Sequence, residues 1–204
     1  MIRKRKVNHE FGSNCYLIGD KATGEAIIID PSVPTEEMVE MAEGFSIVGI
    51  VLTHAHFDHM LALQEAVGLT SAPIMVGAED ARGVIDPSIN LSFLTGRPLK
   101  CDGPDILLRS GDIVNCGRWR FSVIETPGHT PGSVSLVCPD ARVVITGDTL
   151  FADSIGRTDL PGGDEGEMAR SLGILMSLGD DFRVLPGHGP EALIWEIKEI
   201  NPFL

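Results

Sequence analysis

Residues 47–59 read Ile47-Val48-Gly49-Ile50-Val51-Leu52-Thr53-His54-Ala55-His56-Phe57-Asp58-His59. The continuous apolar run Ile47–Leu52 predicts a buried strand. It ends directly at four potential metal ligands, His54, His56, Asp58 and His59. Imidazole nitrogen and carboxylate oxygen together suit zinc, iron or manganese, because these donors match borderline to hard divalent cations. The chain has only six histidines. Three sit in this cluster, His129 and His188 lie in Gly-His loops far downstream, and His9 stands apart. A scarce residue used in this way points to a metal site.

Outward from the cluster, the N-terminal half predicts strands over Ile2–Asn8, Cys15–Gly19 and Ala26–Ile29, the last ending at Asp30-Pro31. Thr35 is a candidate cap for a helix reaching Glu43, with Glu36 and Glu37 in the first turn where the helix dipole favours anions. Met60–Val67 predicts a helix stopped by Gly68, and Ile74–Val76 a short strand. The stretch from Gly83 to Asp105 is rich in Pro, Gly and Ser, with Leu91, Phe93 and Leu94 reading as exposed. So long a loop predicts a lid, a binding loop or a contact surface. Strands follow over Ile106–Leu108, Ile113–Val114, Phe121–Glu125, Val134–Cys138, Val143–Thr146 and Val184–Leu185, with helices over Glu165–Leu178 and Leu193–Ile200. The order fits two sheets packed face to face with helices outside, a four-layer αββα sandwich. No linker or repeat divides the 204 residues, so one α/β domain over 1–204 is expected.

Composition narrows the function. Apolar residues make up 43% and charged residues 22%, an ordinary globular balance. No apolar run reaches the ~18 residues that span a bilayer. The basic start Met1–Val7 lacks the apolar segment of a signal peptide, so a cytoplasmic protein without a membrane partner is expected. Cys15, Cys101, Cys116 and Cys138 form no Cys-x-x-Cys pair and read as buried or incidental thiols rather than zinc ligands. The net charge of −13 argues against nucleic acid, whose binding rests on neutralising phosphates. Arg3–Lys6 reads as a solvated edge strand.

Each candidate ligand follows a predicted strand: the cluster after Leu52, His129 after Glu125, Asp148 after Thr146 and His188 after Leu185. Loops at strand ends are where a scaffold converges side chains from distant sequence. Taken singly, His129, Asp148 and His188 each also read as turn residues. Asp30 reads either as a turn residue or as a group orienting a ligand histidine. Taken together they offer seven ligands, enough for two metals.

His-x-His-x-Asp-His (54–59), followed by His129, the Gly-Asp at 147–148 and the Gly-His-Gly at 187–189, resembles the metallo-β-lactamase fold superfamily of metallohydrolases. The likeness spans Asn14 to His188. It implies that His54, His56 and His129 bind one divalent metal, that Asp58, His59 and His188 bind a second, and that Asp148 bridges them. Zinc is the first expectation for both ions, with iron or manganese as alternatives. True class B β-lactamases often carry Cys or Arg at the second metal, so His59 and Asp148 here disfavour antibiotic hydrolysis. Asp-Thr-Leu-Phe (148–151), Gly-Arg-Thr-Asp-Leu-Pro-Gly-Gly-Asp (156–164) and Asn-Pro-Phe-Leu (201–204) are similar to the short glyoxalase II-like hydrolases. Glyoxalase II proper adds a C-terminal helical region that helps to hold glutathione. This chain ends about fifteen residues after His188, so the resemblance implies thioester chemistry without fixing the thiol.

The expected reaction is hydrolysis of a small-molecule thioester such as a hydroxyacyl conjugate. A water shared by two metals has its pKa lowered from ~15.7 towards ~7 and attacks the polarised carbonyl. Asp58 would orient that water or take its proton. Thr130 and Ser133 read as turn residues rather than nucleophiles. Arg157 has two readings, a bidentate grip on a substrate carboxylate or an ion pair with Asp159 or Asp164. The rival reaction is that of a mononuclear iron persulfide dioxygenase using His54, His129 and Asp148. Further rivals are a nuclease, a lactonase (Tyr16, the sole tyrosine, reads as a strand residue) and a metal-binding protein without turnover. The sequence does not fix the metal, the acyl group or the oligomeric state.

Overall fold

The computed structural model describes residues 1–6 and 12–204. One sheet runs in the order β1 (Ile2–Lys6), β2 (Asn14–Asp20), β3 (Glu25–Ile29), β4 (Ser46–Leu52), β5 (Ile74–Gly77), β6 (Ile106–Leu108). The other runs β12 (Ala192–Leu193), β11 (Arg183–Pro186), β10 (Val143–Gly147), β9 (Val134–Cys138), β8 (Trp119–Glu125), β7 (Ile113–Cys116). The last two residues of the strand expected over Ile2–Asn8, and His9, lie outside the described residues. Arg3–Lys6 does lie on an edge strand, as its charge pattern predicts.

Alternation along the strands creates the layers, because successive side chains point to opposite faces. In β2, Tyr16 and Ile18 face the second sheet, while Cys15 and Leu17 face the helices. In β3, Ile27 and Ile29 point inward and Ala26 and Ile28 outward. In β10, Val143 and Ile145 join the layer between the sheets and Val144 packs beneath the helices on the far side. These strands are apolar on both faces because both faces are covered. Each fully buried Ile or Leu contributes roughly 1.5–3 kcal/mol relative to exposure. Helices α1 (Thr35–Ala42) and α2 (Leu63–Thr70) cover the first sheet, and α4 (Glu165–Met176) and α5 (Ile194–Ile200) the second. The fold is the expected αββα sandwich, a mixed α/β domain.

Several local expectations fail for identifiable reasons. Thr35 is the first residue of α1 rather than its cap, and Pro34 precedes it with no capping side-chain bond. The helix expected over Met60–Val67 begins later, because a 3-10 turn over Phe57–His59 intervenes. It also passes through Gly68 and ends at Ser71, whose φ of 54° is left-handed. The segment from Gly83 to Asp105 is more structured than a plain loop. It carries α3 (Ala81–Ile85) at its start and a 3-10 turn over Ser92–Thr95. Asn90 pins it, donating from Nδ2 to the carbonyls of Gly83 and Leu99 at 2.8 and 3.1 Å. Leu91 is buried, whereas Phe93 and Leu94 are exposed. All four cysteines are free and buried. Among the described residues, no helix is long and apolar enough to cross a membrane.

Candidate metal centre

β4, β8, β10 and β11 all end at the same rim, and the loops leaving them carry every residue of the predicted ligand set. A register shift between Ile145 and Gly147 where β10 meets β11 turns the chain so that Asp148 faces this rim. Glycine is required nearby at Gly187, where an added Cβ would run into Asp148 Oδ1 and His59 Cε1.

The ligand atoms form adjoining groups, each within 4.8 Å: His54, His56 and His129; His54, His59 and Asp148; and Asp58, His59 and His188. His56 Nδ1 lies 2.9 Å from His129 Nε2, and His59 Nε2 lies 3.3 Å from His188 Nε2. Asp148 stands between the groups. Its Oδ1 is 3.3 Å from His59 Nε2, and its Oδ2 is 3.4 Å from His188 Nε2 and 3.6 Å from His129 Nε2. Asp58 Oδ2 is 3.2 Å from His188 Nε2 and 3.6 Å from His59 Nε2.

The remote ring nitrogens decide which face of each ring is bare. Thr53 donates its hydroxyl to Asp30 Oδ2 at 2.7 Å, so it accepts from His54 Nδ1 at 3.2 Å and leaves His54 Nε2 as a lone pair. That Nε2 is buried without a hydrogen-bond partner, as is Asp148 Oδ1. His59 donates from Nδ1 to Asp30 Oδ2 at 2.9 Å, which turns its Nε2 towards Asp148. His129 donates from Nδ1 to the carbonyl of Arg157 at 2.8 Å, which again bares Nε2. Buried acceptors aimed at one another are costly unless a cation lies between them. The donor set therefore fits divalent metal.

Electrostatics separates the two sides. Burial, reinforced by the neighbouring histidines, holds His54 well below the usual imidazole range and His56 down to about 4. Both are thus neutral donors. Burial also disfavours charge on His59 and His188, but the surrounding carboxylates outweigh it. Asp148, Asp58 and Asp30 raise His59 well above its ordinary value, and Asp148 and Asp58 raise His188 to about 9. Without metal, this side draws protons to balance its carboxylates. The side chains of His188 and Asp58 are 31% and 15% exposed, whereas His59 is sealed, so the centre opens on the Asp58–His188 side. The Phe151 ring stands edge-on to His188 at 5.9 Å there.

Other predicted residues resolve differently. The Arg157 guanidinium is committed to Asp159 through bonds of 2.9 and 2.8 Å, both side chains being exposed. Asp164, the other suggested partner, instead caps α4 by accepting from the Glu167 amide. Arg157 reaches the centre through its carbonyl on His129, not through its charge. Thr130 and Ser133 are buried in a mutual 2.7 Å hydrogen bond, and Tyr16 donates to the Pro186 carbonyl. Asp30 is the orienting group that one of its sequence readings describes. Sequence reasoning missed Asp80, buried at the loop after β5. Burial pushes its carboxyl up against hydrogen bonds from Thr130, Ala55 and Gly132. Its place after a strand end was the available signal.

A cavity of about 540 Å³ lies away from these groups, between α4 and the tail at Phe203 and Leu204. Donor chemistry rather than volume locates the site. A recess of about 30 Å³ lies beside His56, walled in part by Ile89, Pro131 and Pro161.

The family described as "Metallo-beta-lactamase superfamily" matches residues 10–188. The chain is 36% identical to the probable metallo-hydrolase YqgX of Bacillus subtilis, over 93% of this chain and 90% of that one. It is 32% identical to the hydroxyacylglutathione hydrolase GloC of Haemophilus influenzae, over 95% and 93%. Among solved structures it is similar to the BLEG-1 B3 metallo-beta-lactamase, with TM-score 0.94 and 35% identity over 100% and 99% of the two chains. It is also similar to TTHA1623 in a di-iron-bound form, with TM-score 0.85 and 32% identity over 99% and 100%.

Proposed function

The chain belongs to the metallo-beta-lactamase superfamily, and from that premise we propose that it is a two-metal thioester hydrolase acting on hydroxyacyl thioesters of the S-lactoylglutathione type. The observation that carries this reading is Asp148 lying between a buried three-histidine group and a second, partly open group of candidate ligands. His54, His56 and His129 would hold one ion and Asp58, His59 and His188 the other, with Asp148 placed to serve both. Zinc suits the nitrogen-rich first site, and iron or manganese suits the second equally well. When bound, two such ions lower the pKa of a shared water to ~7 and polarise the substrate carbonyl.

The chain's own residues supply the rest. Cys15 is pushed up to about 12 by burial, and Cys101 and Cys116 to about 11. Thr130 and Ser133 are engaged with each other. With these candidates spent, the attacking group is water. Asp58, on the open side, orients that water and holds its proton at the carboxylate. A departing thiolate, with a thiol pKa of ~8.5, needs little acid assistance. Asp30 and the Arg157 carbonyl keep the His59 and His129 rings from turning.

Two other readings have specific observations to weigh. Likeness to a B3 metallo-beta-lactamase favours β-lactam hydrolysis, with the His59 and Asp148 pattern weighing against it. A mononuclear iron dioxygenase acting on persulfides would need only His54, His129 and Asp148. It would leave Asp58, His59 and His188 converging on one another without a use. The test is to offer the metal-loaded chain S-lactoylglutathione, simpler acyl thioesters, a chromogenic β-lactam, and glutathione persulfide with oxygen uptake recorded. Fastest turnover of a hydroxyacyl thioester is expected. Oxygen uptake on the persulfide, or faster β-lactam opening, overturns the reading.

A further inference from the structure

We infer that Asp80 is a positioning residue for the three-histidine site, its carboxylate clamping the His54–His56 loop to the His129 loop. The inference rests on the two-metal reading above and adds a residue outside the ligand set.

Asp80 is 5% exposed and lies after β5, on neither ligand loop. Its Oδ2 accepts from the Ala55 amide at 2.9 Å and from the Thr130 hydroxyl at 2.8 Å. Its Oδ1 accepts from the Gly132 amide at 2.7 Å. Ala55 stands between His54 and His56, and Thr130 follows His129 directly. One carboxylate thus joins segments 75 residues apart (Ala55 and Thr130) through the neighbours of all three ligands. The packing is tight enough that a Cβ at Gly132 would run into the Asp80 backbone and side chain. No bond from Asp80 reaches Asp58, His59 or His188. Those belong to the side served by Asp30, which accepts from the Thr53 amide, the Thr53 hydroxyl and His59 Nδ1. Each half of the centre therefore has a buried carboxylate outside the candidate ligand set, Asp30 reaching His54 as well, through the Thr53 hydroxyl. Such outer groups commonly change metal affinity about 10- to 100-fold when removed.

An amide at this position keeps the shape but turns one accepting oxygen into a donor facing donors. Asp80→Asn should accordingly loosen the three-histidine site and spare the other. The experiment is equilibrium zinc binding against a chromophoric chelator, run in two backgrounds. In Asp58→Asn, which cripples the second site, adding Asp80→Asn should weaken the remaining binding about 10- to 100-fold. In His56→Ala, which cripples the first, it should change the remaining binding less than about twofold. Thr130→Val, which removes one of the three bonds, should give a smaller loss with the same selectivity and guards against misfolding of the asparagine variant. Equal loss in both backgrounds, or no loss in the Asp58→Asn background, overturns the assignment while leaving the two-metal reading intact. Absence of zinc binding by the unsubstituted chain removes that reading and this inference with it.

Discussion

Asp30 Oδ2 lies 2.9 Å from His59 Nδ1, at the end of β3, where Asp30 holds a left-handed φ of 52°. A non-glycine residue in that conformation costs of order 1–3 kcal/mol. The carboxylate so placed fixes the His59 ring, aims its Nε2 at Asp148, and accepts from both the amide and hydroxyl of Thr53. Replacing it by asparagine should weaken metal at the Asp58–His59–His188 site about 10- to 100-fold. The three-histidine site should lose less, through Thr53 and His54 only. Stepwise chelator competition reads both constants, and unchanged second-site affinity would refute the orienting role.

The metal-free protein should show a characteristic pH profile. His59 and His188 have raised folded-state values, His188 to about 9, caused by Asp148 and Asp58 against the opposition of burial. Their contribution is present below the unfolded value of about 6.5 and is lost as pH rises through about 9. His54 and His56 are depressed by burial, His56 to about 4, so their neutral forms favour the fold as pH rises towards the unfolded value of about 6.5. Melting of chelator-treated protein should therefore peak near pH 6.5 and fall towards 9. Added metal should reverse the fall, since metal binding displaces those protons. A flat apo profile across pH 6.5–9 contradicts the charge balance described for this side.

Gly187→Ala places a methyl group against Asp148 and His59. Overpacking of this kind costs about 1–3 kcal/mol, and its displacement falls on Asp148, the carboxylate proposed to serve both ions. We expect a melting point lower by several degrees and loss of one ion per chain. Full metal content in a folded variant would show that the rim yields more than this packing implies.

Arg157→Ala should do little to metal binding, because His129 is held by the backbone carbonyl and the guanidinium is paired with exposed Asp159. Exposed pairs of this type contribute about 0–1 kcal/mol. Zinc affinity and kcat within about threefold of the unsubstituted chain are expected. A large rise in KM for a carboxylate-bearing thioester alone would restore the substrate-binding reading.

The residues that converge at the candidate centre were legible because histidine is scarce here and its neighbours repeat one pattern, a strand followed by a glycine-bearing loop. The sandwich was legible because β2, β3, β4, β9 and β10 are apolar on both faces. What escaped depends on contacts between distant residues. Asp80 reads as an ordinary loop acid until Ala55, Thr130 and Gly132 are brought to it. Leu91 reads as exposed until Asn90 ties its segment down. Helix α2 outlasts Gly68 because nothing crowds that glycine and Ser71 supplies the left-handed end. Arg157 forms the Asp159 ion pair that one of its two readings describes, while the contact of its backbone carbonyl with His129 could not be read from the sequence.

The most direct test of the two-metal claim is elemental analysis of the purified, metal-reconstituted chain beside its Asp148→Ala variant. The account predicts two ions per chain in the first and no more than one, with activity lost, in the second. One ion per chain in the unsubstituted protein, or two retained without Asp148, would contradict it.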